Sequence, residues 1–78
     1  MDALSVFYLD LAEVVKDVVA GLTPAARQKG VAVGVDGEPA WIRVDRDAAA
    51  DMITAIVENA IQFSPPGGTV SARVRANG

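Results

Sequence analysis

Between Ala49 and Val74 the apolar side chains change from a helical period to strict alternation, and the change falls across Ser64-Pro65-Pro66-Gly67-Gly68. Proline has no backbone N–H and a fixed φ, so neither Pro65 nor Pro66 fits inside a continuing helix. The paired glycines that follow suit a tight turn. Ahead of the break, Ala49, Met52, Ile53, Ile56, Val57 and Ala60 keep to one face of a predicted helix, and Phe63 continues the stripe. Asp45 or Asp47 can cap its start. After the break, Val70, Ala72 and Val74 point inward from a predicted strand over 69–75. Helix and strand must share one core.

Upstream, Leu11, Val14, Val15, Val18, Val19 and Leu22 predict an earlier helix, with Asp10 as its cap and Glu13 completing an acidic capping box. A short strand-favouring run over 5–8 precedes it. Gly21 and Pro24 are expected to kink or briefly break this helix, which resumes over 25–29 and stops at Gly30. Val31, Val33 and Val35 alternate with Ala32, Gly34 and Asp36 as a strand, and Trp41-Ile42-Arg43-Val44 reads as another. Asp36-Gly37 is a turn signal, so the economical topology joins these two strands as an antiparallel pair. Trp41 is expected to be a packing anchor, while Arg43, Arg73 and Arg75 fall on the outward phase of their strands. The order strand, helix, strand, strand, helix, strand predicts an α+β two-layer sandwich, with two helices on one face of a small mixed sheet.

Composition narrows function more than fold. With 78 residues there is room for one small domain, 1–78. A chain of this size buries only roughly 60% of its unfolded surface, and a 51% apolar content suggests that some of the remainder seeks a partner. Seven basic against ten acidic residues give a net charge of −3, which argues against nucleic acid as a partner. There is no cysteine and no histidine, so disulfides, thiolate chemistry, imidazole bases and the usual zinc sites are excluded. The apolar runs fall far short of the roughly 20 residues a membrane span needs. Met1-Asp2 lacks the basic start of a signal peptide, so a cytoplasmic chain making no membrane contact is expected.

Ala55, Glu58, Asn59 and Gln62 are neighbours at three- and four-residue spacing near the end of the second helix. Spacing alone reads them as a solvated face, and the Pro-Pro-Gly-Gly run as a plain helix-to-strand turn.

The stretch Glu58-Asn59-Ala60-Ile61-Gln62-Phe63-Ser64-Pro65-Pro66-Gly67-Gly68-Thr69-Val70 resembles the asparagine box and following turn of sensor histidine kinase ATP-binding domains. These domains belong to the wider gyrase, chaperone, histidine kinase and mismatch-repair ATPase superfamily. Tyr8-Leu9-Asp10-Leu11-Ala12-Glu13-Val14-Val15 is similar to the opening of that domain's first helix, and Pro24-Ala25-Ala26-Arg27-Gln28-Lys29-Gly30-Val31 to the helix end entering its next strand. Val44-Asp45 has the matching spacing to the second helix. The resemblance implies a partial Bergerat-type ATPase fold, with ATP and magnesium as cofactors. It implies that Asn59 holds the metal, with Gln62 and Glu58 beside the nucleotide. Magnesium takes hard oxygen ligands and keeps most of its shell as water and phosphate, which a neutral amide oxygen suits.

The departures matter as much. A basic residue commonly stands where Gln62 does, and Gln62 can donate a hydrogen bond to phosphate only without the charge that strengthens it. Ala55 occupies a position where the family usually has a second polar residue, and it can neither ligate nor orient water. The resemblance covers the N-terminal half of the family's domain and leaves out the adenine-reading glycine motif and the ATP lid. No catalytic residue is assigned, and the expectation is a truncated two-component kinase domain, inactive alone, with weak or absent nucleotide binding. The alternative is an interaction module without nucleotide chemistry, self-associating as a homodimer or acting as a small regulator. The expected partner is a second copy or the rest of a kinase domain.

Overall fold

In the computed structural model, which describes residues 7–76, Asp10 stands at the junction of strand β1 (Phe7–Asp10) and helix α1 (Leu11–Lys29). Its carboxylate accepts from Ala12 N at 3.0 Å, which makes it the N-cap. Glu13 does not complete a capping box; its carboxylate pairs with Lys16 at 3.3 Å. The chain continues through β2 (Ala32–Gly37), β3 (Trp41–Val44), α2 (Arg46–Gln62) and β4 (Thr69–Val74), the predicted order. The predicted strand over 5–8 lies partly outside the described residues, where β1 begins at Phe7.

The expected antiparallel pairing of β2 with β3 is not formed. β2 pairs in parallel with β4, from Ala32 opposite Thr69 to Gly37 opposite Val74, and β3 pairs antiparallel with β1, from Trp41 opposite Asp10 to Val44 opposite Phe7. The small sheet is therefore two separate pairs. The reason lies in the 38–40 connection. Asp36-Gly37 stays inside β2, and the ladder runs on as Glu38 N donates to Val74 O at 3.1 Å. Ala40 N then donates to Asp10 Oδ1 at 2.9 Å, and Leu11 N to Ala40 O at 2.8 Å. These bonds lead the chain to β1. Helix α2 supplies the crossover that a parallel pair requires.

Helix α1 runs unbroken through Pro24, against the expectation of a break. The missing proline N–H costs about 3 kcal/mol in an isolated helix. Here Val19 and Ala26 are buried on either side of it, and Thr23 Oγ1 donates to Val19 O at 2.7 Å. Packing wins over propensity. The helix closes where expected: Gly30, at φ 81°, donates to Arg27 O, and Val31 N donates to Ala26 O, the two bonds of a Schellman cap.

The core is aliphatic. Ala12, Val14, Val15, Val19 and Ala26 come from α1, Ala49, Ile53, Val57 and Ile61 from α2, and Val31 and Val74 from the strands. Leu11, Val18 and Leu22 pack against its margin, so the α1 stripe lies as predicted. The α2 face is corrected. Ala49, Ile53, Val57 and Ile61 form a four-residue ridge toward α1, whereas Met52 and Ile56 are 60% and 62% exposed, and Ala60 and Phe63 are exposed as well. Two adjacent apolar ridges exist on α2, and only one faces inward. Trp41 is not an anchor either: it is 67% exposed, because the outward phase of β3 carries it together with Arg43. Arg73 and Arg75 are exposed as expected.

Candidate functional site

Asp45 caps α2, its carboxylate accepting from Asp47 N at 3.2 Å, and the helix then delivers Glu58, Asn59 and Gln62 to its final turn. All three are exposed, as is Ala55 one turn earlier. A spacing of three residues puts Asn59 and Gln62 on one side of the helix; Glu58 lies about 100° round the axis from Asn59. The turn closes with Phe63 N donating to Asn59 O at 3.2 Å and Ser64 N to Ile61 O at 3.1 Å.

The Pro-Pro-Gly-Gly segment beyond is fastened to the end of α1. Gly67, at φ 88°, donates from N to Gly30 O at 2.7 Å, and Ala32 N donates to Gly68 O at 3.1 Å. Gly68 sits so close under Ser64 and Pro65 that a Cβ there would lie 2.5 Å from Ser64 Oγ. Glycine is required for that approach. The site thus stands on a helix terminus and a turn held by a second helix.

One contributor has no counterpart among the residues expected from sequence. Lys29 Nζ donates to Ile61 O at 2.7 Å and also to Gln62 O. The only local hint is that α2 has no basic residue in its own last turn.

Away from this turn, an open groove of about 500 Å³ runs between α1, α2 and β4, lined by Leu11, Val15, Met52, Ile56, Ala72 and Val74 among others. It does not include Asn59. At the far end of β4, Arg75 Nη2 lies 2.8 Å from Asp36 Oδ2 and Arg73 Nε 4.0 Å from it. The hydrogen bond and charge of Arg75 hold the Asp36 carboxyl below its ordinary range. These arginines serve a cross-strand ion cluster.

Among the described residues there is no cluster of three or more acidic, histidine or cysteine side chains able to cage a metal. No helix there is long and apolar enough to cross a membrane.

No family model matches the chain. In sequence it is 28% identical over 74 residues to the swarming motility regulation sensor protein RssA of Serratia marcescens, a match spanning 94% of this chain and 16% of that protein. In structure it resembles the cytoplasmic segment of histidine kinase QseC, with a TM-score of 0.88 at 16% identity over 95% of this chain and 50% of the other. It also resembles the Acinetobacter baumannii histidine kinase AdeS, with a TM-score of 0.68 at 22% identity over 85% of this chain and 34% of the other. The chain therefore has the α+β fold found in the cytoplasmic segment of histidine kinase QseC and in histidine kinase AdeS, over half or less of their length, as the sequence resemblance implied.

Proposed function

We propose that the chain is the leading part of a sensor histidine kinase ATP-binding domain, and that Asn59 supplies a magnesium ligand beside the nucleotide's phosphates. The observation that carries this reading is the placing of Asn59: an exposed amide on the last turn of α2, directly ahead of a glycine turn pinned to α1. The donor set fits. With one neutral oxygen and no acidic cage among the described residues, the site suits an ion that keeps water and phosphate as its other ligands. Bound magnesium and ATP would supply charge neutralisation and the transferable phosphoryl group.

The chain's own residues then bind and orient. Asn59 presents its amide oxygen to the metal while Gln62, on the same side of the helix, donates its amide N–H to a phosphate oxygen. Glu58, about 100° round the axis from Asn59, flanks this pair. Ala55 contributes nothing polar, and the chain holds no histidine to accept a phosphoryl group. Affinity is accordingly feeble, and phosphoryl transfer needs groups this chain does not carry. Calorimetric titration with Mg·ATP tests the reading: a small saturable heat in the native chain, absent in Asn59→Ala. Heat persisting in that variant removes Asn59 from the role.

A second reading concerns assembly. Met52 and Ile56 are exposed beside the groove along β4, which among the described residues pairs only with β2. An apolar ridge next to an open strand edge suits an interaction surface, filled by a second copy or by the remainder of a kinase. Sedimentation distinguishes them: a dimer supports self-association, and a monomer of 8.1 kDa counts against it.

A further inference from the structure

Lys29 and Gly30 are adjacent in sequence, and between them they hold both ends of the 63–68 connection. The last carbonyls of helix α2 carry a partial negative charge of about half an electron, and its own last turn holds no basic residue to meet it. Lys29, half-buried at the end of α1, fills that need from across the molecule by donating to the carbonyls of Ile61 and Gln62. Gly30 grips the exit of the connection by accepting from Gly67 N. A cationic head with several donors on a long, flexible stem can reach two successive carbonyls at once.

We infer that Lys29 is a positioning residue for the turn bearing Asn59 and Gln62. Its bonds to Ile61 O and Gln62 O fix the helix terminus on which those amides stand. Its charge neutralises the negative helix end that a polyphosphate would otherwise meet there. Gln62 lacks the charge of a basic side chain; Lys29 brings one to the same backbone position from α1. This rests on the nucleotide reading above, and its first consequence can be measured without any nucleotide.

The variants are Lys29→Met and Lys29→Arg, with Ile53→Val as a control that loosens the core away from the turn. In Lys29→Met, amide hydrogen exchange at Phe63 and Ser64 should accelerate about tenfold beyond any change at Val15 and Val19, as loss of a charged hydrogen bond implies. Lys29→Arg should restore near-native exchange, and Ile53→Val should show no such selective change. Mg·ATP affinity should fall about tenfold in Lys29→Met and be largely kept in Lys29→Arg. Exchange at Phe63 and Ser64 that follows the core control, or arginine failing to rescue, overturns the inference. So does a Lys29→Met chain with a loosened turn and native affinity. If the native chain takes up no Mg·ATP, the nucleotide reading fails, and the exchange measurements alone decide whether Lys29 holds the turn.

Discussion

Asp10 Oδ1 accepts a hydrogen bond from Ala40 N at 2.9 Å, across thirty residues of chain. The same oxygen caps α1 through Ala12 N, so one carboxylate starts a helix and steers the 38–40 connection toward β1. Asp10→Ala should therefore cost more than an ordinary cap. Loss of the cap costs about 1 kcal/mol and the orphaned Ala40 N–H about another 1–3 kcal/mol if water cannot reach it. Urea unfolding of the variant checks this. A loss no greater than the roughly 1 kcal/mol of an ordinary cap would mean the bond to Ala40 contributes nothing.

The two apolar ridges of α2 make opposite predictions for neighbouring isoleucines. Ile53 is 8% exposed in the core, and Ile53→Ala should cost about 2–5 kcal/mol. Ile56 lies on the outer ridge, so Ile56→Asp should leave the chain folded. Circular dichroism melts of both variants test the assignment. An Ile56→Asp chain that unfolds while Ile53→Ala stays native would reverse the orientation of α2.

These isoleucines also mark where sequence patterns stop being informative. Helix ends were legible because each has a local chemical cause: Asp10 and Asp45 as caps, Gly30 as terminator, the prolines after Phe63. The phases of β2 and β4 were legible too, since Val33, Val35, Val70 and Ala72 alternate with exposed neighbours, whereas that of Trp41 on β3 was not. Strand partners were not. The Asp36-Gly37 turn signal is overridden by long-range bonds from Asp10 and Val74, which no local window contains. On α2, Ile53 and Ile56 fit one broad stripe equally well, and only the approach of α1 selects between them. Asn59 and Gln62 were placed correctly at an exposed helix end, whereas Lys29, thirty-two residues from Ile61, had no signal beyond a missing cation.

The Asp36–Arg75 pair predicts a weak acid dependence. Arg75 lowers the folded-state value of Asp36 below its ordinary 3.8. A depressed carboxyl contributes stability that is present above the unfolded value and is lost as pH falls through the folded one. Both side chains are exposed, so the effect is small and screened by salt. The difference in unfolding midpoint between the native chain and Asp36→Asn should be constant near neutrality and shrink below about pH 4. A difference that grows on acidification would contradict the direction of the shift.

Asn59 should separate binding from folding. Its side chain is exposed and the core ridge lies elsewhere on α2, so Asn59→Ala should change stability by no more than about 0.5 kcal/mol. Any magnesium-dependent nucleotide uptake should vanish in the same variant. Melting with and without Mg·ATP reads both at once. A variant that loses several kcal/mol would instead make Asn59 a structural residue, and its loss of binding would say nothing about metal ligation.

Two glycines of α1 and its cap should respond to alanine in opposite directions. Gly21 lies inside the helix, and nothing comes within 4 Å of the point where a Cβ would stand, so Gly21→Ala should stabilise by about 0.5–1 kcal/mol. Gly30 has room for a Cβ as well, at 3.5 Å from Pro66, but its φ of 81° is left-handed. Gly30→Ala should therefore lose about 1–2 kcal/mol through backbone conformation and not through a clash. Gly30→Asn should lose less, because asparagine tolerates that conformation better. Because Gly30 O also holds Gly67 N, the alanine variant should loosen the turn after Asn59 along with the cap. Thermal melts of the three variants measure these differences. Equal responses at the two positions would mean that the end of α1 is not held in the left-handed geometry on which the site's footing depends.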